Sequence, residues 1–142
     1  MNKIINSCLG GSEGMEGIYV CYNEKKAGNF KEPIEMSNRE YLIWRHPVSI
    51  KRRLKYPSKI IIKVSGEDRY YKGDLLLVKE YGAFKTTIFY EDVNHRPSTW
   101  RNPSKEGWKS VLFISNLQEI LKPAEVCGMY PPQGVRYIKF RD

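Results

Sequence analysis

The stretch from Lys59 to Glu80, KIIIKVSGEDRYYKGDLLLVKE, decides the fold class. Its first part, KIIIKVS (59–65), is a run of β-branched apolar residues. Such side chains lose little rotamer freedom on a pleated surface, so the run predicts a strand. Its last part, DLLLVKE (74–80), predicts a second strand. The polar residues from Gly66 to Gly73 read as the connection, with Gly73 expected in a turn of positive φ just before Asp74. Lys85 to Tyr90, KTTIFY, predicts a third strand. The intervening Tyr81-Gly82-Ala83 reads as a tight turn that makes the last two strands an antiparallel hairpin.

Outward from this centre the pattern stays rich in β-structure. IYVCY (18–22) reads as a short strand, WKSVLFIS (108–115) as a strong one, and VRYIKF (135–140) as a closing strand. Leu117 to Leu121 reads as a brief turn or helix before Pro123. CLGGSEGMEG (8–17) reads as a glycine-rich loop, and it lacks the Lys-Ser/Thr that a phosphate-binding loop needs. A loop is expected around Gly28, Asn29 and Pro33. SNREYLIW opens with Ser37 and places Glu40 three residues later, the spacing of a capping box, and predicts a helix start. Pro47 should end that helix and open another short one reaching Leu54. At least five strands with only short helices predict an α+β fold, with a mixed, barrel-like sheet and short peripheral helices.

The 142 residues match the size of one domain, with no repeat or low-complexity segment to divide them. The net charge of +8 and the ten Tyr and three Trp are the unusual features. Excess positive charge draws polyanions, and exposed rings offer stacking surfaces, which favours nucleic acid over lipid. Three cysteines, Cys8, Cys21 and Cys127, stand far apart with no CxxC, so neither a disulfide framework nor a structural zinc site is expected. Reduced thiols fit a cytoplasmic protein. No apolar run approaches the length of a signal-peptide core or a membrane span. No metal site or cofactor is expected.

Trp44 to Lys59, WRHPVSIKRRLKYPSK, carries six cations and no acid, interleaved with Trp44 and Tyr56. Cations neutralise phosphates and release counterions, while rings stack on bases. The long polar loop from Glu91 to Gly107 brings Trp100 beside Arg101, a ring for a base and a cation for its phosphate. The candidate nucleic-acid-binding set is therefore Trp44, Arg45, Lys51, Arg52, Arg53, Tyr56, Trp100 and Arg101. The bland alternative is that Trp100 or Trp108 anchors the loop and the charges form a solvated face.

His46 and His95 are the only histidines. Two imidazoles with a nearby lysine or arginine are enough for metal-independent RNA cleavage, because imidazole titrates near neutral pH. No nucleophile elbow or spaced Cys–His pair is present. A third class of function is a protein-interaction or inhibitor module whose basic face meets an acidic partner.

RYYKGDLLLV (69–78) resembles the strand entry after a glycine–aspartate turn in PUA-like domains, the superfamily of the PUA, ASCH, EVE and YTH families. Trp108 to Phe140 resembles their closing pattern of strand, short turn, proline-bearing segment, glycine loop and last strand. The resemblance spans Lys59 to Phe140, with the ASCH and EVE branches nearest. It implies a small β-barrel with peripheral helices that binds RNA or modified DNA; in the EVE and YTH branches an aromatic pocket takes a modified base. Some ASCH proteins are amidohydrolases that use a lysine, a threonine and a glutamate. Lys63, Thr86 and Glu91 supply those residue types here at a spacing that matches no motif. REYLIWRHPVSIKRRLKYPSKIII (39–62), followed by paired strands, also resembles the helix-then-sheet layout of small ribonucleases and toxins of the barnase, EndoU, colicin and RelE type. That layout implies His46 near an active groove.

Overall fold

The computed structural model describes residues 15–46, 49–50, 53–80, 94–100 and 109–140. In chain order the elements are β1 (Met15–Tyr22), helix α1 (Glu24–Ala27), helix α2 (Lys31–Arg39), β2 (Leu42–His46), β3 (Ser58–Val64), β4 (Tyr70–Glu80), a 3-10 turn at Ser98–Trp100, β5 (Ser110–Ile120), a 3-10 turn at Ala124–Val126 and β6 (Arg136–Phe140). The six strands form one mixed sheet in the order β2-β5-β4-β3-β1-β6. Only β1 and β3 run parallel. The connection between them is long enough to carry both helices and β2, as a parallel pairing requires. Among the described residues β2 and β6 each pair on one side only, so the hydrogen-bonded sheet is open.

The apolar runs are buried on both faces. One face gathers Ile18 and Val20 of β1, Ile60 and Ile62 of β3, Leu75 of β4 and Leu112 and Ile114 of β5, with Phe30 and Met36 beside them. The other packs Tyr19, Ile61, Tyr70, Ile138 and Phe140 around Val126. Alternation along each strand divides the two sets.

The first face is strongly concave. Three strands separate β1 from β2 in the sheet, a flat spacing of roughly 19 Å. The rings of Tyr22 and Trp44 nevertheless lie with centroids 5.9 Å apart. Only a coiled sheet lets side chains of such distant strands meet. Two register shifts between β4 and β5, at Lys72/Asp74 and Leu75/Leu77, supply local bending of the kind that bulges introduce.

Several expectations are corrected. The loop expected around Gly28, Asn29 and Pro33 is confined to a short link at Gly28 and Asn29 between two helices: Asn23 caps α1, its Oδ1 accepting from the N–H of Lys25 and Lys26, and Pro33 sits in the first turn of α2, where proline is tolerated. Ser37 does not begin a helix; it lies near the end of α2. Its Oγ donates to the Ile34 carbonyl and accepts from the Leu117 N–H, which docks α2 on β5. YLIW then enters β2, because Leu42 and Trp44 gain more from burial against β5 than from helix. Residues 49–50 and 53–55 are irregular rather than helical. β5 continues through Asn116, at a φ of 56°, to Ile120, where a turn or helix was expected from Leu117. Gly73 and Asp74 lie inside β4 and not in a turn before it. Gly73 is at the first register shift, where a Cβ would stand 2.8 Å from Leu117 Cδ2 and 2.9 Å from the Ser115 carbonyl. Close approach, not positive φ, selects glycine there. Of the loop expected at 8–17, Met15 to Gly17 instead begin β1; its residues 8–14, the expected strand at 85–90 and its turn at 81–83 lie outside the described residues.

Candidate nucleic-acid interface

A pocket of about 630 Å³ opens where the ends of β1 and β2 converge on the concave side. That volume lies inside the roughly 300–1,000 Å³ range of ligand sites. Tyr22 and Asn23 supply one wall, Trp44 and His46 a second, Arg96 to Trp100 a third and Pro132 to Gly134 a fourth. Trp44 and His46 share a strand face because they are two residues apart. Their rings meet edge to face at 5.4 Å.

The wall from 94 to 100 is held at several points. Trp100 is 8% exposed and donates its indole N–H to the Tyr22 hydroxyl at 3.0 Å. Tyr22 in turn donates to the Gly28 carbonyl at 2.8 Å. The ring of His95 stacks on Tyr41 at 3.8 Å, with its Nδ1 3.3 Å from the Tyr41 carbonyl oxygen. Ser98 donates from both its N–H and its hydroxyl to the Glu32 carboxylate. Gly28, at a φ of 95°, lets Thr99 approach to a distance that a Cβ would crowd. Burial pushes the Tyr22 hydroxyl up to about 12, so it stays a neutral donor throughout the physiological range.

Among the described residues the pocket lining includes Lys26, Arg45 and Arg96, and no Asp or Glu. Arg45 is 1% and Arg96 2% exposed. Low-dielectric walls strengthen the pull of such groups on an anion. The nearest structured carboxylate on α1, Glu24, is engaged elsewhere. Its carboxyl lies below the usual range because the Phe30 N–H donates to it, against the effect of burial, with Arg69 adding at 2.5 Å.

The eight residues of the expected binding set are only partly brought together. Trp44, Arg45 and Trp100 line this pocket. Arg53 and Tyr56 line a separate hollow of about 220 Å³ with Ile50, Val78 and Ser110. Lys51, Arg52 and Arg101 lie outside the described residues. Trp100 is a buried anchor packed at 5.6 Å on Tyr22 and 5.9 Å on Trp44. The three rings touch one another and leave no slot between them. Trp44 is the half-buried member, and its ring keeps surface for a ligand.

The two histidines are not brought together. His46 ends β2 and lines the pocket, whereas His95 stacks on Tyr41, at the strand's other end. Five residues of extended strand separate Tyr41 from His46, roughly 16 Å. Lys63 donates to the Glu67 carbonyl at 2.7 Å; Thr86 and Glu91 lie outside the described residues.

Lys26, Arg96 and the wall from Pro132 to Gly134 were not singled out in the sequence. Lys26 stands in a helix too short to show a pattern, and nothing local marks Arg96 as buried. Among the described residues no group of three or more His, Cys, Asp or Glu could hold a metal ion, and no helix is long and apolar enough to cross a membrane. Cys21 and Cys127 are free thiols. No family model, curated protein or solved structure matches the chain.

Proposed function

We propose that the chain is a nucleic-acid-binding domain whose pocket takes one unstacked base together with its phosphate. The observation that carries this reading is the pairing of a half-buried Trp44 with Lys26 and Arg96 in a lining that includes no carboxylate among the described residues. A base stacks on the indole, and Lys26 and Arg96 attract the phosphate; the Arg45 side chain alternates to the opposite face of β2, beside Val111. His46, Asn23, Thr99 and Gln133 offer donors and acceptors for the base edge. A half-open pocket with polar groups on several sides suits discrimination of an unusual or modified base, because a misfitting edge leaves polar groups unsatisfied.

The PUA-like, barrel-like architecture is part of this proposal. The coiling that brings Tyr22 to Trp44 and the aromatic pocket with helices beside the sheet support it. The glycine–aspartate pair, lying within β4, does not. The cytoplasmic location proposed from the cysteines rests on sequence alone. The separation of His46 from His95 leaves the two-histidine ribonuclease without its geometry.

The test is titration of the protein with fluorescein-labelled single-stranded DNA and RNA, followed by anisotropy, at several salt concentrations. Binding should weaken linearly on a log–log salt plot, and Trp44→Ala should weaken it without changing the slope. A protein that binds neither polymer at moderate salt would refute the reading and leave the basic face to an acidic protein partner.

A further inference from the structure

Tyr130 is 85% exposed, the most exposed aromatic side chain of the described residues. A single exposed hydrophobic residue is ordinary; the setting of this one is not. The chain immediately after it, Pro131-Pro132-Gln133-Gly134, supplies one wall of the pocket through Pro132, Gln133 and Gly134. Tyr130 is two residues from Pro132, so their Cα atoms are at most about 7 Å apart. The chain before it is pinned: Val126 is fully buried, and the N–H of Met129 donates to the Val126 carbonyl at 3.1 Å. The two prolines restrict the backbone on the other side. A large ring is therefore exposed to water beside the segment that walls the pocket, on a backbone that the two prolines restrict.

We infer that Tyr130 is the stacking platform for the nucleotide next to the one in the pocket, and hence that the ligand is a single strand and not a free nucleotide. This rests on the base-binding reading of the pocket. A strand leaving the pocket past Pro132 meets the Tyr130 ring first, and every base has a face to stack on it. In a duplex the neighbouring base stays stacked and paired inside the helix, where Tyr130 has no face to cover.

The experiment compares the full-length parent with Tyr130→Ala, Tyr130→Phe and Trp44→Ala. The probes are nucleoside 5′-monophosphates, unmodified and N-methylated, single-stranded hexamers of the same bases, and a hexamer duplex. Tyr130→Ala should weaken hexamer binding roughly five- to hundredfold, the range for loss of one stacked base, with an unchanged salt slope. It should leave monophosphate binding at its parental value, including where that value is below detection. Tyr130→Phe should bind hexamers like the parent, and the duplex should bind more weakly than either strand. Equal hexamer affinity in the parent and Tyr130→Ala, with Trp44→Ala still impaired, would sink the platform and leave the pocket reading intact. Equal weakening of monophosphate and hexamer by Tyr130→Ala would make Tyr130 part of the pocket wall and also overturn the inference. Failure of the parent to bind any probe removes both readings together.

Discussion

Trp100 donates its indole N–H to the hydroxyl of Tyr22 at 3.0 Å, and this bond ties the segment from 94 to 100 to the end of β1. The two residues are far apart in the chain and on different elements. Their contact shapes the pocket and buries a ring that the sequence offered as a ligand platform. Tyr22 passes the bond on to the Gly28 carbonyl, so one hydroxyl links three segments.

Trp100 and Trp44 should therefore respond differently to truncation. Trp100→Ala should destabilise the fold by about 3–5 kcal/mol, the usual cost of emptying a buried tryptophan site. Trp44→Ala should cost less stability and weaken single-strand binding by about 1–3 kcal/mol. Urea unfolding of each variant, run beside an oligonucleotide titration, separates the two effects. Equal losses of stability with unchanged binding would assign both rings to the core.

Gly73→Val should destabilise the domain by about 1–3 kcal/mol through overpacking. The added side chain would collide with Leu117 and the Ser115 carbonyl at the β4–β5 register shift. Backbone oxygen cannot swing aside as a flexible side chain can. A thermal midpoint equal to that of the parent would show that the bulge relaxes freely.

Lys26→Ala should weaken binding to all single strands by a similar factor. It should also flatten the log affinity against log salt plot by roughly 0.7 for the lost phosphate contact. Lys26 lines the pocket from the short α1 helix. Replacing Lys51, Arg52 and Arg53 together should flatten the slope further if that run also contacts phosphate. A Lys26→Ala slope identical to the parental one would place the phosphate elsewhere.

Acid should unfold the protein progressively below about pH 4.5. Glu24 lies below its ordinary value of 4.5, mainly through the Phe30 N–H. Asp74 lies below 3.8 despite its burial, because Asn116 and Lys59 donate to it. A carboxyl whose folded pKa is depressed stabilises the fold fully above its unfolded pKa, and that contribution fades as pH falls through the folded value. Unfolding midpoints in urea should fall from pH 5 towards pH 3, and Glu24→Gln should flatten the fall. Tyr22 works in the opposite direction. Its hydroxyl, pushed up to about 12 by burial, supports the fold fully below pH 10 and loses that contribution as pH rises towards 12. The absorbance of ionised tyrosine should show both Tyr22 and Tyr19, which burial also pushes up to about 12, titrating late.

Metal-free cleavage of labelled RNA should be absent. His46 lines the pocket, whereas His95 is stacked on Tyr41 before the start of β2 and is not part of the lining, so the two are not set around one phosphate as acid and base. Cleavage in chelator that is lost in both His46→Ala and His95→Ala would contradict this geometry.

The strands with strong local patterns were legible in the chain itself. KIIIKV, DLLLVKE, VLFIS and VRYIKF are each β-branched or apolar over most of their length, and each falls in β3, β4, β5 or β6. The net charge of +8 and the acid-free run after Trp44 are likewise written in the residues and pointed to an anionic partner. Where local preference and tertiary contact disagreed, contact prevailed. Ser37 has good helix-starting chemistry, yet its hydroxyl is used against Leu117 of β5. Gly73 has good turn chemistry, yet it is the residue without a side chain that a crowded bulge requires. Of the pocket, the sequence singled out only Trp44, Arg45 and Trp100 for binding and His46 for catalysis. Tyr22, Trp44, Arg96 and Pro132 are far apart in sequence, and no periodicity connects them. Only the coiling of a six-stranded sheet, driven by burial of its concave face, brings them around one cavity. Composition determined the net positive charge of this chain; the curvature of the sheet decided which of its residues share a pocket.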